Sequence, residues 1–158
     1  MVSSSVTKLV LASGSPRRAE ILSESGFDLK IIPASVDENA ILTQGSDLVS
    51  AVRALALAKA SYVAGSNVGE FVLGADTIVV FENEVFGKPE SSEQAFEMLN
   101  RLSGRQHKVV TGVAIVNPVG QSHTKFVSTS VVFRNLEDDE ISKYVSSDLS
   151  LDKAGGYG

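Results

Sequence analysis

The sequence contains no cysteine among its 158 residues, and it has only four prolines. Disulfides and thiolate metal sites are therefore excluded, and a protein without cysteine fits a reducing compartment. The first apolar run, residues 9–12, is too short for a signal-peptide core or a membrane span. We accordingly predict a cytoplasmic protein.

Positive charge is also scarce, because 14 Lys and Arg stand against 19 Asp and Glu, which leaves a formal net charge of −5. Broad surfaces that bind nucleic acid or anionic membranes need an excess of positive charge. We therefore predict neither nucleic acid nor a membrane as a partner, and any anion site must be local. A length of 158 residues allows one domain with one sizeable core.

Apolar and β-branched runs alternate along the chain with segments of helical spacing. The predicted strands cover residues 8–12, 27–33, 71–81, 85–86, 109–116 and 125–133. One predicted helix starts at Pro16 and stops before Gly26, and the others cover residues 46–64, 91–102 and 137–145. This order indicates an α/β fold with a mixed sheet.

Capping residues mark where three of these helices begin. Ser15 precedes Pro16, and Ser46 or Asp47 opens the long helix. Ser91 and the glutamine three positions later have the spacing of a capping box. These patterns predict the helix starts more closely than periodicity alone.

The first helix begins with two adjacent cations, Arg17 and Arg18. A helix N-terminus repels cations and attracts anions, so this pair is unfavourable unless an anion lies there. With the hydroxyls of Ser13 and Ser15 and the flexible Gly14, the two arginines predict a phosphate-binding cradle. The alternative is a solvated arginine pair at a helix start.

Asp76 interrupts the strongly apolar strand at residues 71–81. A carboxylate in this setting is costly to desolvate unless it meets a cation, a metal or several hydrogen-bond donors. Thr77 adds a hydroxyl directly after it, and Gly74 permits close backbone approach. We interpret Asp76 as a site residue, and the alternative is a structural aspartate at a strand end.

Three further charged residues depend on partners for their interpretation. Lys59 lies on the apolar stripe of the long helix, so its ammonium either reaches the solvent rim, which the pattern alone favours, or points into a cleft. Lys88 follows the predicted hairpin in a loop, and Glu38 lies in a polar loop segment beside Asp37.

The last residues combine Asp152 and Lys153 with the glycine-rich stretch 154–158. A carboxylate and an ammonium beside a flexible backbone suit phosphate or nucleoside binding, although a plain loop has a similar composition. His107 opens a strand, where a lone histidine is more often structural than catalytic. Converging cations and acids are what magnesium-dependent phosphoanhydride chemistry requires.

A series of segments runs in order along nearly the whole chain, namely LASGSPRR from Leu11, DE at Asp37, AKA at Ala58, LGADTIV from Leu73, GKP at Gly87, LSG at Leu102 with His107, TGV at Thr111 and LDKAG from Leu151. This series resembles the Maf-like nucleotide pyrophosphatases, relatives of the inosine-triphosphate-pyrophosphatase fold. The whole series is far more specific than any one of its members.

The resemblance implies a mixed, twisted central sheet flanked by helices, two lobes around a cleft, and commonly a homodimer. It implies phosphate binding by Ser13, Arg17, Arg18, Lys59 and Lys88, with Thr77, Asp152 and Lys153 as further substrate contacts. Glu38 and Asp76 would serve a Mg²⁺ or Mn²⁺ ion and the attacking water, with Asp76 as general base.

The sequence around Asp76 resembles the branch of the family that acts on dTTP and UTP, which implies a nucleoside triphosphate substrate and pyrophosphate as product. Family members continue with an Ile-Gln pair, core strands and a last helix, so the resemblance also implies a C-terminally shortened domain over residues 1–158. A catalytically impaired nucleotide-binding or regulatory protein is the alternative.

Overall fold

The computed structural model describes residues 6–44, 47–147 and 149–158. Its strands are β1 (Thr7–Ala12), β2 (Phe27–Ile31), β3 (Val72–Phe81), β4 (Glu84–Phe86), β5 (Gln106–Val116) and β6 (Ser122–Val132). Its helices are α1 (Pro16–Glu24), α2 (Glu38–Gln44), α3 (Leu48–Ala64), α4 (Ser92–Leu102) and α5 (Asp138–Val145), and a short 3₁₀ turn covers Ala154–Gly156. Within these ranges, no helix is long and apolar enough to cross a membrane.

Six strands form one mixed sheet in the order β2-β1-β3-β5-β6, and β4 pairs with β3. β1 is parallel to both neighbours, so that Leu11 lies opposite Ile31 on one side and Leu73 on the other. β3 and β4 are antiparallel. The predicted α/β class with a mixed sheet is confirmed.

The chain divides into two compact units, one formed by Met1–Asp76 with Gly112–Phe126 and the other by Thr77–Thr111 with Val127–Gly158. The core of the first unit contains Val10 of β1 and Ala56 of α3, both fully buried. The second unit has an aromatic core around Phe81 and Phe86 and a further cluster where α4 meets α5.

Helix ends confirm most of the predicted capping residues. Asp47 is the N-cap of α3, where its carboxylate accepts hydrogen bonds from the N–H groups of Val49 and Ser50. The competing candidate, Ser46, lies outside the described residues. Gly65 closes α3, as predicted.

Two capping details differ from the sequence prediction. Ser15 is the N-cap of α1, but its hydroxyl caps no N–H among the described residues. Ser91 caps α4 through the N–H of Gln94, whereas the Gln94 carboxamide oxygen accepts from Glu90, one residue before the cap. Side-chain rotamers decide such bonds, and residue spacing alone does not contain them.

Two glycines allow helix α3 to lie directly against the sheet in the first unit. A Cβ on Gly74 would lie 2.3 Å from the carbonyl oxygen of Ala56, and one on Gly112 would lie 2.5 Å from that of Val52. Both obstacles are backbone atoms of α3, so no side-chain rotation could relieve the clash. The distances of α3 from β3 and from β5 therefore depend on the absence of a side chain at Gly74 and Gly112, respectively.

We expect Gly74→Ala to lower the free energy of unfolding by about 3 kcal/mol, because helix and strand must separate to admit the methyl group. Chemical denaturation would measure the loss. Gly65→Ala is the matched control, since its Cβ would meet only an ordinary 3.6 Å contact with the Tyr62 carbonyl. Equal stabilities of the two variants would contradict the proposed close packing.

Candidate active site

Ser13 and Arg18 form a connected polar corner where β1 runs into α1. The buried Ser13 hydroxyl oxygen accepts from the Ser15 N–H at 3.2 Å and from Arg18 Nη1 at 3.0 Å. The same Arg18 nitrogen donates to the carbonyl oxygen of Ala75 at 3.0 Å. These bonds hold the Arg18 guanidinium beside Ala75, the residue directly before Asp76. The neighbouring Arg17 is exposed.

Lys59 does not reach the solvent rim that its sequence pattern favours. It is only 9% exposed, and its Nζ lies 2.6 Å from Asp76 Oδ1 and 2.8 Å from Glu38 Oε1. An ammonium this deeply buried needs opposite charges to compensate its lost hydration. Of the two alternatives, the structure therefore shows the inward-pointing lysine and not the one that reaches the solvent rim, and the part of Lys59 in a site stays a prediction.

Glu38 is placed by a helix that the sequence did not predict. The sequence pattern predicts a polar loop around Glu38, but the structure has Glu38 in the first turn of the seven-residue helix α2. Asp37 accepts from the N–H of Ala40 at 3.0 Å, as a helix N-cap does. This capping residue, followed by Ile41 and Leu42, was the available signal, although so short a helix has weak periodicity.

Burial sets the acidity of Asp76. Loss of hydration raises the pKa of Asp76, and the nearby ammonium of Lys59 offsets only part of this rise. Burial also lowers the pKa of Arg18, which the negative charge of Asp76 opposes. The site therefore holds a carboxylate that binds a proton more readily than an exposed aspartate.

The remaining predicted site residues belong to the second unit. The Thr77 hydroxyl shares a hydrogen bond of 2.9 Å with that of Thr111. Lys88 is exposed in the loop after β4. Lys153 Nζ lies 2.6 Å from Asp152 Oδ1 and also donates to the carbonyl oxygen of Leu149.

In the first unit, the structure brings five of the predicted residues into one connected set. Its members are Ser13, Arg18, Glu38, Lys59 and Asp76. The Ala75 carbonyl that anchors Arg18 could not be predicted from the sequence, since a backbone acceptor has no signature in residue type. Among the described residues there is no cluster of three or more His, Cys, Asp or Glu side chains that could hold a metal ion.

The fold and this set together define an α/β protein in which two cations and two carboxylates meet beside a helix N-terminus, an arrangement suited to a polyanion and a divalent cation. The family model for Maf-like proteins matches residues 8–158. The chain belongs to the Maf-like protein family.

Curated relatives agree with this assignment over nearly the whole chain. A dTTP/UTP pyrophosphatase of Moorella thermoacetica is 47% identical over 154 residues, which are 97% of this chain and 78% of that protein. A dTTP/UTP pyrophosphatase of Bacillus cereus is 47% identical over 152 residues, 96% of this chain and 78% of that protein.

Solved structures with low sequence identity share the fold. The Ham1 protein of Coxiella burnetii superposes with a TM-score of 0.54 at 16% identity, covering 80% of this chain and 73% of that one. A nucleoside-triphosphatase described as a dITP/XTP pyrophosphatase, from Mycobacterium abscessus, gives a TM-score of 0.52 at 16% identity, covering 80% and 74%. The predicted resemblance to the inosine-triphosphate-pyrophosphatase fold is thereby confirmed.

Proposed function

We propose that this protein is a nucleoside triphosphate pyrophosphatase that hydrolyses dTTP and UTP to the monophosphate and pyrophosphate. The observation that carries the proposal is the buried Lys59 ammonium between Glu38 and Asp76, with the anchored Arg18 guanidinium bonded to the residue before Asp76. The two relatives at 47% identity, both named dTTP/UTP pyrophosphatases, support the substrate class.

In the proposed reaction, water attacks the α-phosphorus and the bond to the oxygen bridging the α- and β-phosphates breaks. Pyrophosphate leaves with the electron pair of that bond. Asp76 takes the proton of the attacking water, and its raised pKa makes it a stronger base than an exposed aspartate. Lys59 and Arg18 compensate the negative charge that develops on the phosphate oxygens.

The donor set of the site fits a divalent cation. Magnesium is usually bound through one or two carboxylates together with substrate phosphates. The carboxylates of Glu38 and Asp76 lie close enough together to contact the same Lys59 ammonium, so they could supply those two ligands. We propose that these two residues hold Mg²⁺, or Mn²⁺ in its place. When bound, the ion would neutralise phosphate charge and polarise the phosphorus–oxygen bonds.

The other residues enter the proposal through the family resemblance. Ser13 and Arg17 would contact phosphate at the start of α1, and Lys88 would add a further positive charge. Thr77, Asp152 and Lys153 are proposed substrate contacts. A cytoplasmic location and a homodimer are part of the same proposal, the first supported by the absence of cysteine.

The test is pyrophosphate release from dTTP, UTP, CTP, GTP and ITP, each with Mg²⁺ at equal concentration. We expect dTTP and UTP to be hydrolysed at least about tenfold faster than the others, because a site that hydrogen-bonds one base rejects those that leave its polar groups unpaired. Chelation by EDTA should abolish release. Thermal stabilisation by a nucleotide without pyrophosphate release would instead identify a binding protein.

A further inference from the structure

We propose that His107 and Tyr157 form a positioning pair that holds the loop carrying Lys88 through a backbone hydrogen bond between Gly155 and Gly87. The inference rests on the proposed function, in which Lys88 contacts the triphosphate. All of these residues belong to the second compact unit. None of the roles assigned above uses His107 or Tyr157.

The pair is a polar contact enclosed by aromatic rings. His107 Nε2 lies 2.6 Å from the Tyr157 hydroxyl oxygen, and the histidine is only 3% exposed. Phe133 packs edge-on against both rings, with centroid distances of 4.8 Å to each. A phenylalanine at position 157 would fill the same space. The hydroxyl of Tyr157 additionally fixes the orientation of the ring through its hydrogen bond with His107, which an apolar ring could not do.

The 3₁₀ turn Ala154–Gly156 links Tyr157 to the Lys88 loop. The Gly155 N–H donates to the carbonyl oxygen of Gly87 at 3.0 Å, one residue before Lys88. Gly155 has a φ of +72°, and a Cβ there would lie 2.9 Å from a methyl carbon of Val79. The turn is therefore seated tightly, and a displacement of Tyr157 would be transmitted over two residues to the bond with Gly87.

The same segment offers a matched control at its end. The Gly158 N–H donates to the Tyr144 hydroxyl at 3.2 Å, so Tyr144 also tethers this loop through a phenol. That tether lies beyond Tyr157 and is off the route to Gly87. Tyr144→Phe therefore removes an equivalent hydroxyl without touching the proposed connection.

The first measurement is amide hydrogen exchange of wild type, Tyr157→Phe and Tyr144→Phe. We expect the Gly155 amide to exchange about fivefold faster in Tyr157→Phe, the equivalent of one neutral hydrogen bond, and at the wild-type rate in Tyr144→Phe. This readout does not depend on turnover. Unchanged exchange of Gly155 in Tyr157→Phe would overturn the proposal.

The second measurement is a double-mutant cycle between Tyr157→Phe and Lys88→Met, read as KM for dTTP. We expect Tyr157→Phe alone to raise KM about fivefold with kcat within twofold, and to have no further effect once Lys88 is replaced. Additive effects would overturn the positioning role. If wild type releases no pyrophosphate, the proposed function fails, and the same cycle is read on the Kd for dTTP.

Discussion

Asp76→Asn is expected to lower kcat for dTTP hydrolysis by about 10²–10⁴-fold, the usual contribution of a general base. The amide keeps the shape of the side chain and an oxygen that can accept from Lys59, but it cannot take a proton from water. Nucleotide binding should therefore persist. Steady-state pyrophosphate release and calorimetric titration with dTTP would measure the two quantities separately.

The pKa of Asp76 also determines how the folding stability of wild type changes with pH relative to that of Asp76→Asn. Because burial raises the pKa of Asp76, its protonated form favours folding below about pH 3.9, the ordinary aspartate value, and this contribution is lost as pH rises through the raised pKa. In EDTA, the melting temperature of wild type relative to that of Asp76→Asn, which has no proton to lose at this position, should therefore fall as pH rises through the raised pKa of Asp76. Full turnover in Asp76→Asn would remove Asp76 from the mechanism.

Lys59→Met is expected to lower kcat/KM for dTTP by about 10²–10³-fold, the range seen when one preorganised donor is removed from a charge-stabilising site. Methionine fills the buried space of the lysine stem but removes the ammonium that contacts both Glu38 and Asp76. Lys30→Met is the control, because Lys30 is an exposed lysine with a surface partner, Glu70, 3.6 Å away. It should retain wild-type kcat/KM.

A pH profile of Lys59→Met would show why the activity falls. The positive charge of Lys59 opposes the rise that burial causes in the pKa of Asp76, so its removal should move the acidic limb of kcat/KM to higher pH. A profile that keeps its wild-type acidic limb would mean that Lys59 does not act on Asp76.

Much of the fold was predictable because the relevant information is local. The strand at β1 and the turn into α1 follow from an apolar run and from Pro16, and α3 starts and stops at Asp47 and Gly65. The predicted strand ends were less accurate. The strand predicted over residues 27–33 stops at Ile31, and the one predicted from residue 109 begins already at Gln106. Pairing with neighbouring strands, which a single segment does not encode, sets those limits.

Helix α2 was missed because seven residues contain too few turns for a period to be recognised. Without this helix, the sequence pattern around Glu38 indicates only a solvated acidic residue in a loop. The sequence could not decide whether the Lys59 ammonium reaches the solvent rim or points into a cleft. The position of a residue on the apolar side of a helix does not show which groups of the fold lie opposite it.

The sequence by itself determined which residues bear chemistry: a carboxylate in an apolar strand is costly wherever that strand lies, and two arginines at a helix start are unfavourable in any fold without an anion. Only the tertiary structure decided that Lys59 and Asp76, 17 positions apart, share a 2.6 Å contact, and that Arg18 bonds to a carbonyl 57 positions away. The physical reason is packing between segments that local propensities cannot relate: α3 lies directly on β3 at Gly74, and the pairing of β1 with β3 brings the start of α1 beside Ala75.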